Sequence, residues 1–282
     1  KGDTVMHTNA SPALKEYWNN DPLVTSHRVM ARERIANATM ADGTLDWHKL
    51  PKLLSTNPKL LKNDKGETYL SSGIMFAASS VSGHNFCSHA SLGCGVACLQ
   101  FAGHGQRHMM QGDVHKVLLA RITRSILYVE YRVQFMSQLH KEIRAHIRKA
   151  NKLEAVPVLR PNTLSDILWE KRHPELFTLY PDLVLYDYTA VPNRKLPENY
   201  HVTFSRKENN EQVALDSGLN VAVVFNIKKG QPLPKIWKGR DVFDGDVDDK
   251  RFEDKRDKPR IVGLRIKGGI SRDDSGFAVA VP

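Results

Sequence analysis

The chain has 282 residues, a formal net charge of +10 and an apolar fraction of 41%. This length and composition suit an α/β protein with an ordinary packed core, and they exclude a disordered chain. The longest apolar runs are strand-sized, and the three cysteines are too few and too crowded for a secreted disulfide framework. We therefore expect no membrane-spanning segment, no signal peptide and a reducing compartment.

The first 78 residues are predicted to form a helical region that packs on the rest of the protein. Helical patches run over residues 12–19 and 29–40. Residues 79–282 follow as a cysteine loop and a run of alternating strands and helices. We expect the two segments, 1–78 and 79–282, to form one integrated domain.

All the cysteines of the chain lie in one short segment, where Cys87, Cys94 and Cys98 form a C-x6-C-x3-C pattern. Thiolates are soft ligands that favour zinc or iron–sulfur (Fe–S) clusters over harder ions. Glycines between the cysteines allow the tight turns that wrap a chain around a metal centre. The segment therefore predicts a metal site.

Two metal chemistries share these ligands. A cubane 4Fe–4S cluster held by three cysteines leaves one iron open to a small molecule, and this is the interpretation we favour. Structural zinc takes four protein ligands, so a histidine could complete a Cys3His site. The candidate histidines are His84, His89, His104 and His108. Three unliganded thiols are the remaining alternative.

A long amphipathic helix with a basic outer face is predicted between Arg107 and Lys152. Ten Lys or Arg residues fall there against three acidic residues, a local balance of +7. Apolar residues recur at helical spacing, at Leu118, Ile122, Ile126, Val129, Val133, Met136, Ile143 and Ile147. Because clustered cations attract phosphates, we expect nucleic acid or a nucleotide as a partner of this helix. A solvated helix face is the alternative.

Short apolar runs alternate with helical segments in the C-terminal half, which is typical of parallel β/α units. The runs are residues 154–159, 183–186, 200–204, 221–225 and 261–264. Helices are predicted over residues 165–171 and 211–217. The predicted fold is therefore an α/β structure: a partial or distorted parallel β/α barrel behind the helical N-terminal region.

Reacting groups of such folds collect where the carboxyl ends of the strands meet. There we expect a catalytic set, which is Asp187, Arg206 and Lys267. We also expect a cofactor-binding set, which is Asn162, Asp166, Tyr188, Ser205, Asp244, Asp246 and Arg265. Each residue has a structural alternative as a turn cap or an ion-pair partner, and the acidic run 244–248 could instead bind a divalent ion. The repetition over several strands favours function.

The ordered succession of these motifs resembles the gene-product-88 family of bacteriophage proteins, over about residues 72–277. The resemblance lies in the cysteine segment and in residues 162–170, 186–189, 199–206, 220–225, 244–246 and 262–268. It implies a phage-encoded protein of the host cytoplasm, and it brings no defined activity.

A three-cysteine loop before a run of β/α units also resembles the partial barrels of radical S-adenosylmethionine proteins. That resemblance implies a cubane cluster on Cys87, Cys94 and Cys98, whose open iron binds the amino and carboxylate groups of S-adenosylmethionine. The cysteine spacing is longer than the C-x3-C-x2-C of that family.

Three functions are compatible with these expectations. The first is an Fe–S enzyme acting on nucleotides or nucleic acid, in which the strand-end Asp, Arg and Lys groups position the substrate. The second is a nucleic-acid-binding protein in which a cluster or a zinc ion only stabilises the cysteine loop. The third is a virion-associated or assembly protein that uses the basic helix as a docking surface.

Overall fold

The computed structural model describes residues 12–66, 68–101, 110–267 and 275–281. The helices of these residues are α1 (Pro12–Asn19), α2 (Pro22–Ala38), α3 (Leu92–Val96), α4 (Lys116–Glu130), α5 (Arg132–Lys152), α6 (Trp169–Arg172), α7 (Glu175–Leu179) and α8 (Glu211–Asp216). The strands are β1 (Leu54–Ser55), β2 (Tyr69–Ile74), β3 (Val156–Arg160), β4 (Val184–Thr189), β5 (Tyr200–Ser205), β6 (Val221–Phe225), β7 (Ile236–Trp237), β8 (Arg240–Asp244) and β9 (Ile261–Arg265). None of the described helices combines the length and apolar character needed to cross a bilayer.

The strands of the described residues form one sheet in the order β1-β2-β3-β4-β5-β6-β9-β8-β7. All neighbours from β2 to β8 pair in parallel. In this register the last residue of β3, Arg160, lies opposite Gly73 of β2, and the last residue of β9, Arg265, lies opposite Phe225. The predicted mixed α/β structure with parallel strands is therefore confirmed, and the carboxyl ends of these strands share one edge. Helices separate β2 from β3, β3 from β4 and β5 from β6, whereas none of the described residues forms a helix between β4 and β5 or between β6 and β9.

The sheet is open, so the barrel part of the predicted fold is not confirmed. Within the described residues β1 pairs only with β2, and β7 pairs only with β8, both in antiparallel fashion. A barrel requires its first and last strands to hydrogen-bond to each other. Here a two-residue antiparallel strand ends the sheet on each side.

The N-terminal region contributes strands as well as the expected helices. The helices α1 and α2 occupy the positions where helical patches are predicted, but β1 and β2 also lie before residue 78. The first parallel strand, β2, is interrupted by polar and small residues, which lower its apparent strand propensity. Gly73 is one of them, and a Cβ there would lie 2.6 Å from Thr163 Oγ1.

The prediction of one long helix over residues 107–152 is wrong for the described part, which forms two helices. The helices α4 and α5 meet at Tyr131, whose φ of −125° and ψ of 41° break the helical path. In α4 the cations Arg121 and Arg124 are buried, and their guanidinium groups donate to the carbonyls of Gln100 and Lys52. The exposed basic face therefore lies mainly on α5, and residues 107–109 lie outside the described residues.

A group of aromatic rings joins the cysteine loop to the sheet and the helices. Phe76 follows β2, and its ring stacks on Phe86 with centroids 4.8 Å apart. Phe76 also packs on Tyr128 of α4, Phe135 of α5 and Trp169 of α6. All five rings are almost completely buried, and each burial stabilises the fold by about 2 kcal/mol. This packing fixes the start of the cysteine loop at the carboxyl end of β2.

Candidate functional site

The three cysteine side chains line one cavity of about 230 Å³ at the carboxyl edge of the sheet. The loops after β2, β3 and β4 border it together with residues at the ends of β5 and β9, as is typical of parallel sheets. Six of the ten polar residues expected at this edge line it as well, which are Asn162, Asp166, Tyr188, Ser205, Arg265 and Lys267. The structure therefore brings the thiols and most of the predicted polar groups together.

Cys87 is held at the cavity wall by the loop that follows β3. The backbone N–H of Asp166 donates to the Phe86 carbonyl at 2.8 Å, and Cys87 Sγ lies 3.5 Å from the Leu164 carbonyl oxygen. The Cys87 amide donates to Asn85 Oδ1 at 3.0 Å, which closes a local turn. The position of Cys87 therefore depends on contacts both within its own loop and with the loop after β3.

Cys94 lies on α3, and Glu208 holds this short helix from the loop after β5. Ser91 caps α3, because its Oγ accepts from the Cys94 amide at 3.1 Å. The same hydroxyl donates to Glu208 Oε2 at 2.6 Å, and the Gly93 amide donates to Glu208 Oε1 at 2.8 Å. One carboxylate therefore sets the distance between the cysteine loop and β5.

Hydrogen-bond donors lie beside the cysteine sulfurs. The Ser79 amide donates to Cys87 Sγ at 3.3 Å, and the Gln100 amide lies beside Cys98. Lys207, whose ammonium donates to Ser205 Oγ at 3.1 Å, lies beside Cys94. Donors of this kind favour the thiolate over the thiol, and hydrogen bonds to sulfur tune Fe–S clusters. The donors fit thiolates that ligate a metal centre.

Burial opposes the ionisation of the Cys87 and Cys98 thiols. It raises the pKa of Cys87 well above the usual value and raises the pKa of Cys98 to about 11. Neighbouring thiols add to the shift, since each disfavours a second negative charge nearby. A bound cationic centre reverses such shifts, because thiolate ligation releases the protons.

The thiols border the cavity and form no disulfide. Across the described ranges, no group of three or more His, Cys, Asp or Glu side chains is arranged to hold a metal ion. Of the candidate fourth ligands for zinc, His89 lines the cavity, whereas His84 Nε2 lies 3.0 Å from Glu130 Oε1. His104 and His108 lie outside the described residues.

The cavity wall is rich in positive charge. Among the lining side chains, Asp166 is the acidic one, and five are basic: Lys59, Arg160, Lys207, Arg265 and Lys267. Cations that line a partly enclosed site attract anions into it. The wall therefore suits either an anionic ligand or an anionic metal–thiolate centre.

Asp249 holds two of these cations in position. Its carboxylate, which is fully buried, lies 2.7 Å from Lys59 Nζ and 2.8 Å from Arg160 Nη1. Burial alone would raise the pKa of Asp249, but the two cations outweigh burial and hold it at about 2. Burial lowers the pKa of Lys59 to about 8. The hydroxyls of Tyr186 and Tyr188 complete the site by donating to Asp249.

Asp187, predicted as catalytic, is fully buried and lies outside the cavity lining. Its carboxylate accepts hydrogen bonds from the backbone N–H of Asn162 at 2.8 Å, from the side-chain Nδ2 of Asn162 at 3.0 Å and from the Tyr200 hydroxyl at 2.6 Å. Asn162 Oδ1 in turn accepts from Ser165 Oγ and the Ile167 amide. Burial raises the pKa of Asp187 to about 7. Asp187 therefore positions the loop after β3.

Arg206, also predicted as catalytic, does not line the cavity and instead holds one of its walls. Its guanidinium donates to the carbonyls of Gly276 at 2.5 Å and Phe277 at 2.9 Å. It also pairs with Glu211 at 3.0 Å. Phe277 lines the cavity, with Lys207 Nζ 5.4 Å from the centre of its ring. Arg206 therefore acts on the site through the backbone of residues 276–277.

Lys267, the third residue of the predicted catalytic set, lines the cavity with Arg265. Lys267 Nζ lies 2.5 Å from Asp246 Oδ1, and Arg265 Nη1 pairs with Asp244 and Asp246 at 2.9 and 3.2 Å. Asp244 and Asp246 do not line the cavity. The structure thus uses them as ion-pair partners, which is the alternative to a divalent-ion site.

Several lining residues were not singled out by the sequence. Lys207 directly follows the predicted Arg206, so its position at a strand end is a signal that was available. Lys59 belongs to a turn before β2, and Phe277 lies in a loop after β9. No local pattern links these two residues to the site, because only tertiary packing brings them there.

A family model described as gene product 88 matches residues 51–280. The match includes β2, the cysteine loop and all the residues that line the cavity, from Lys59 to Phe277. No curated protein and no solved structure matches the chain. Because the matched region is most of the chain, the protein belongs to the gene product 88 family of bacteriophage proteins.

Proposed function

We propose that this protein binds a 4Fe–4S cluster through Cys87, Cys94 and Cys98 and acts on a small anionic molecule in the same cavity. The observation that carries the proposal is that all the cysteines of the chain line one cavity with a cationic wall. A cluster with an open iron supplies an electron or a Lewis-acid position to a ligand bound beside it.

The surroundings of the sulfurs support a cluster over a mononuclear zinc site. Zinc gathers its thiolates at about 2.3 Å from a single ion, whereas a cubane spreads its ligands over several irons. The three thiols border one cavity together with five basic side chains, which suits an anionic cluster. The Ser79 amide donates to Cys87 Sγ, and the Lys207 ammonium near Cys94 offsets the charge of an anionic metal–thiolate centre.

The cavity wall supports an anionic ligand with a second, positively charged group. Carboxylates and phosphates suit the guanidinium and ammonium groups of Arg160, Arg265 and Lys267, and an amino group suits Asp166. S-adenosylmethionine carries a carboxylate and an amino group, and a nucleotide carries phosphates. We propose S-adenosylmethionine as the ligand beside the open iron and a nucleotide as the substrate class.

The cluster is tested by anaerobic reconstitution of the full chain with iron and sulfide. We expect a brown protein with about four irons per chain and a cluster-type visible spectrum. Cys87→Ala, Cys94→Ala and Cys98→Ala should each lose iron, whereas Ser88→Ala, in the same loop, should retain it. A colourless protein with stoichiometric zinc, or alanine variants that retain full iron content, would overturn the proposal.

The ligand is tested on the reconstituted protein by electron paramagnetic resonance. We expect S-adenosylmethionine to change the spectrum of the reduced cluster. Lys267→Gln should weaken this effect without loss of iron, while Lys235→Gln, an exposed lysine away from the cavity, should leave it unchanged. If the cluster forms but neither S-adenosylmethionine nor a nucleotide binds, the reaction part fails and a structural cluster is supported instead.

A further inference from the structure

The exposed face of α5 carries a row of cations. We call it the α5 stripe, and its members are Lys141, Arg144, Arg148, Lys149 and Lys152. Residues three, four, seven, eight and eleven positions apart lie along one side of a helix, so the stripe extends over about 17 Å. All five side chains are exposed. The stripe is therefore a linear, solvent-facing array of positive charge.

The charge of the α5 stripe is not neutralised by neighbouring carboxylates. None of its members forms an ion pair within the parts of the chain that the structure describes. The acidic residue of α5, Glu142, accepts instead from the amides of Leu53 and Leu54. Asp64 interacts electrostatically with Lys149 at longer range. The cavity cations, by contrast, include several that are held by Asp246 and Asp249.

We propose that the α5 stripe docks the phosphate backbone of a nucleic acid. A linear polyanion of high charge density is the partner that complements a row of unpaired cations, because binding releases condensed counterions. The row contains Lys as well as Arg, and it offers no base-reading element, so the contact is with the backbone and independent of sequence.

The rest of α5 argues against the two other kinds of anionic partner. A membrane-binding amphipathic helix inserts its apolar face into the lipid, but the apolar residues Phe135, Leu139 and Ile143 are already buried in the core. A protein interface has an apolar centre, whereas the exposed residue between the cations of the stripe is Ala145. The stripe thus lacks the apolar surface that either partner needs.

The stripe and the cavity lining share no residue. Lys152 ends α5 just before β3 begins, and Arg160 at the far end of β3 lines the cavity, so this end of the stripe lies about 15 Å from that edge of the sheet. The stripe then runs back along the sheet, because Glu142, next to Lys141, accepts from the amides of Leu53 and Leu54 beside the carboxyl end of β2. The docking site is therefore built from residues other than those of the proposed metal site.

The test compares two triple variants that remove the same charge. Lys141→Gln with Arg148→Gln and Lys152→Gln removes three of the five positive charges of the stripe. The matched control neutralises three exposed lysines elsewhere, Lys228, Lys229 and Lys235, by the same change to Gln. Binding of a labelled mixed-sequence duplex DNA, and of single-stranded RNA of equal length, is followed by anisotropy at increasing salt concentration.

We expect the native chain to bind at low salt and to lose affinity steeply as salt is added. The stripe variant should bind at least about tenfold more weakly at low salt, and its slope of log affinity against log salt should fall by about 2 to 3. The control variant should behave as the native chain does. Arg148→Gln alone, which perturbs the helix least, should reduce the slope by about 1.

Three results would overturn the proposal. One is the absence of nucleic-acid binding at low salt, and another is an equal loss in the control variant. The third is binding to vesicles of anionic lipid by a native chain that binds neither nucleic acid.

Discussion

Two hydrogen bonds join Asn162 to Asp187. The backbone N–H of Asn162 donates to Oδ1 at 2.8 Å, and its side-chain Nδ2 donates to Oδ2 at 3.0 Å. Asp187 lies in β4 and Asn162 follows β3, so the pair links two adjacent strands at the carboxyl edge. The loop that Asn162 organises brings Ser165 and Asp166 to the cavity. The shape of the cavity therefore depends on a carboxylate that does not line it.

Replacing Asp187 with Asn should remove a pH-dependent part of the stability. Burial raises the pKa of Asp187 to about 7, and its usual value is 3.8. Between these values the folded chain keeps a proton that the unfolded chain loses, so this contribution is largest at low pH and is lost as the pH rises through 7. The difference between the free energies of unfolding of the native and variant proteins, measured in urea, should change by about 1–4 kcal/mol between pH 4 and 8.

The exposed Asp182 supplies the control for this measurement. Asp182→Asn should follow the native pH profile. Parallel profiles for the native protein and Asp187→Asn would contradict the prediction.

Replacing Asp249 with Asn should destabilise the protein strongly at neutral pH. The change leaves Lys59 and Arg160 without their shared carboxylate, and the loss of one partner of a buried pair costs about 3–5 kcal/mol. Because the pKa of Asp249 is lowered to about 2, its contribution is present above pH 4 and is lost as the pH falls toward 2. Asp257→Asn, which breaks an exposed pair with Arg260, should leave the free energy of unfolding close to the native value in the same urea titration. Equal losses for the two variants would argue against a buried ion-pair role.

Replacing Lys207 with Met should weaken binding of the proposed metal centre and leave its proposed cysteine ligands in place. The Lys207 ammonium donates to Ser205 Oγ at 3.1 Å and interacts electrostatically with Cys94, and removal of a supporting contact of this kind lowers metal affinity by about 10- to 100-fold. The release of iron to a chelator from the reconstituted protein measures this change. Lys238→Met, which removes an exposed ammonium paired with Glu211, is the matched control. Identical release from both variants and the native protein would refute a supporting role for Lys207.

Replacing Gly93 with Ala should disturb the fit between α3 and the segment at residues 275–277. An added Cβ would overlap Ser275 Oγ and would lie 2.9 Å from both Glu208 Oε1 and Phe277 Cβ. Overpacking of this kind costs about 1–3 kcal/mol, and we expect a lower Tm together with faster loss of iron. Leu92→Ala, at an exposed neighbour on the same helix, should leave the rate of iron loss unchanged. A Gly93→Ala protein as stable as the native one would show that the close approach is not needed.

The sequence correctly predicts strands whose burial is evident from the apolar residues within them. Strand β6 is an unbroken apolar run with three valines, and β4 and β9 each begin with adjacent apolar residues, as buried parallel strands are expected to do. Strand β2 contains two serines and a glycine, and it becomes a strand through its pairing with β3. The break at Tyr131 is marked by neither proline nor glycine, so apolar periodicity runs through it without a signal.

The candidate site shows a similar division. Cys87, Cys94 and Cys98 could be grouped because they are close in sequence. Whether a strand-end residue enters the cavity depends on the alternation of side chains, which sends Ser205 and Lys207 into the wall and Arg206 away from it. A one-residue difference of this kind cannot be read from a single sequence without knowing which face of the strand is covered.

The two edges of the open sheet bear on how copies of this chain meet. Edge strands with many unpaired backbone groups act as templates for strand addition and aggregation. Here β1 and β7 are each only two residues long. The outer side of β2 beyond β1 is partly occupied by a side chain, because the Ser71 amide donates to Asp64 Oδ1 at 2.9 Å. The sheet therefore offers little backbone to an incoming strand, so association between copies is expected to rely on side-chain surfaces.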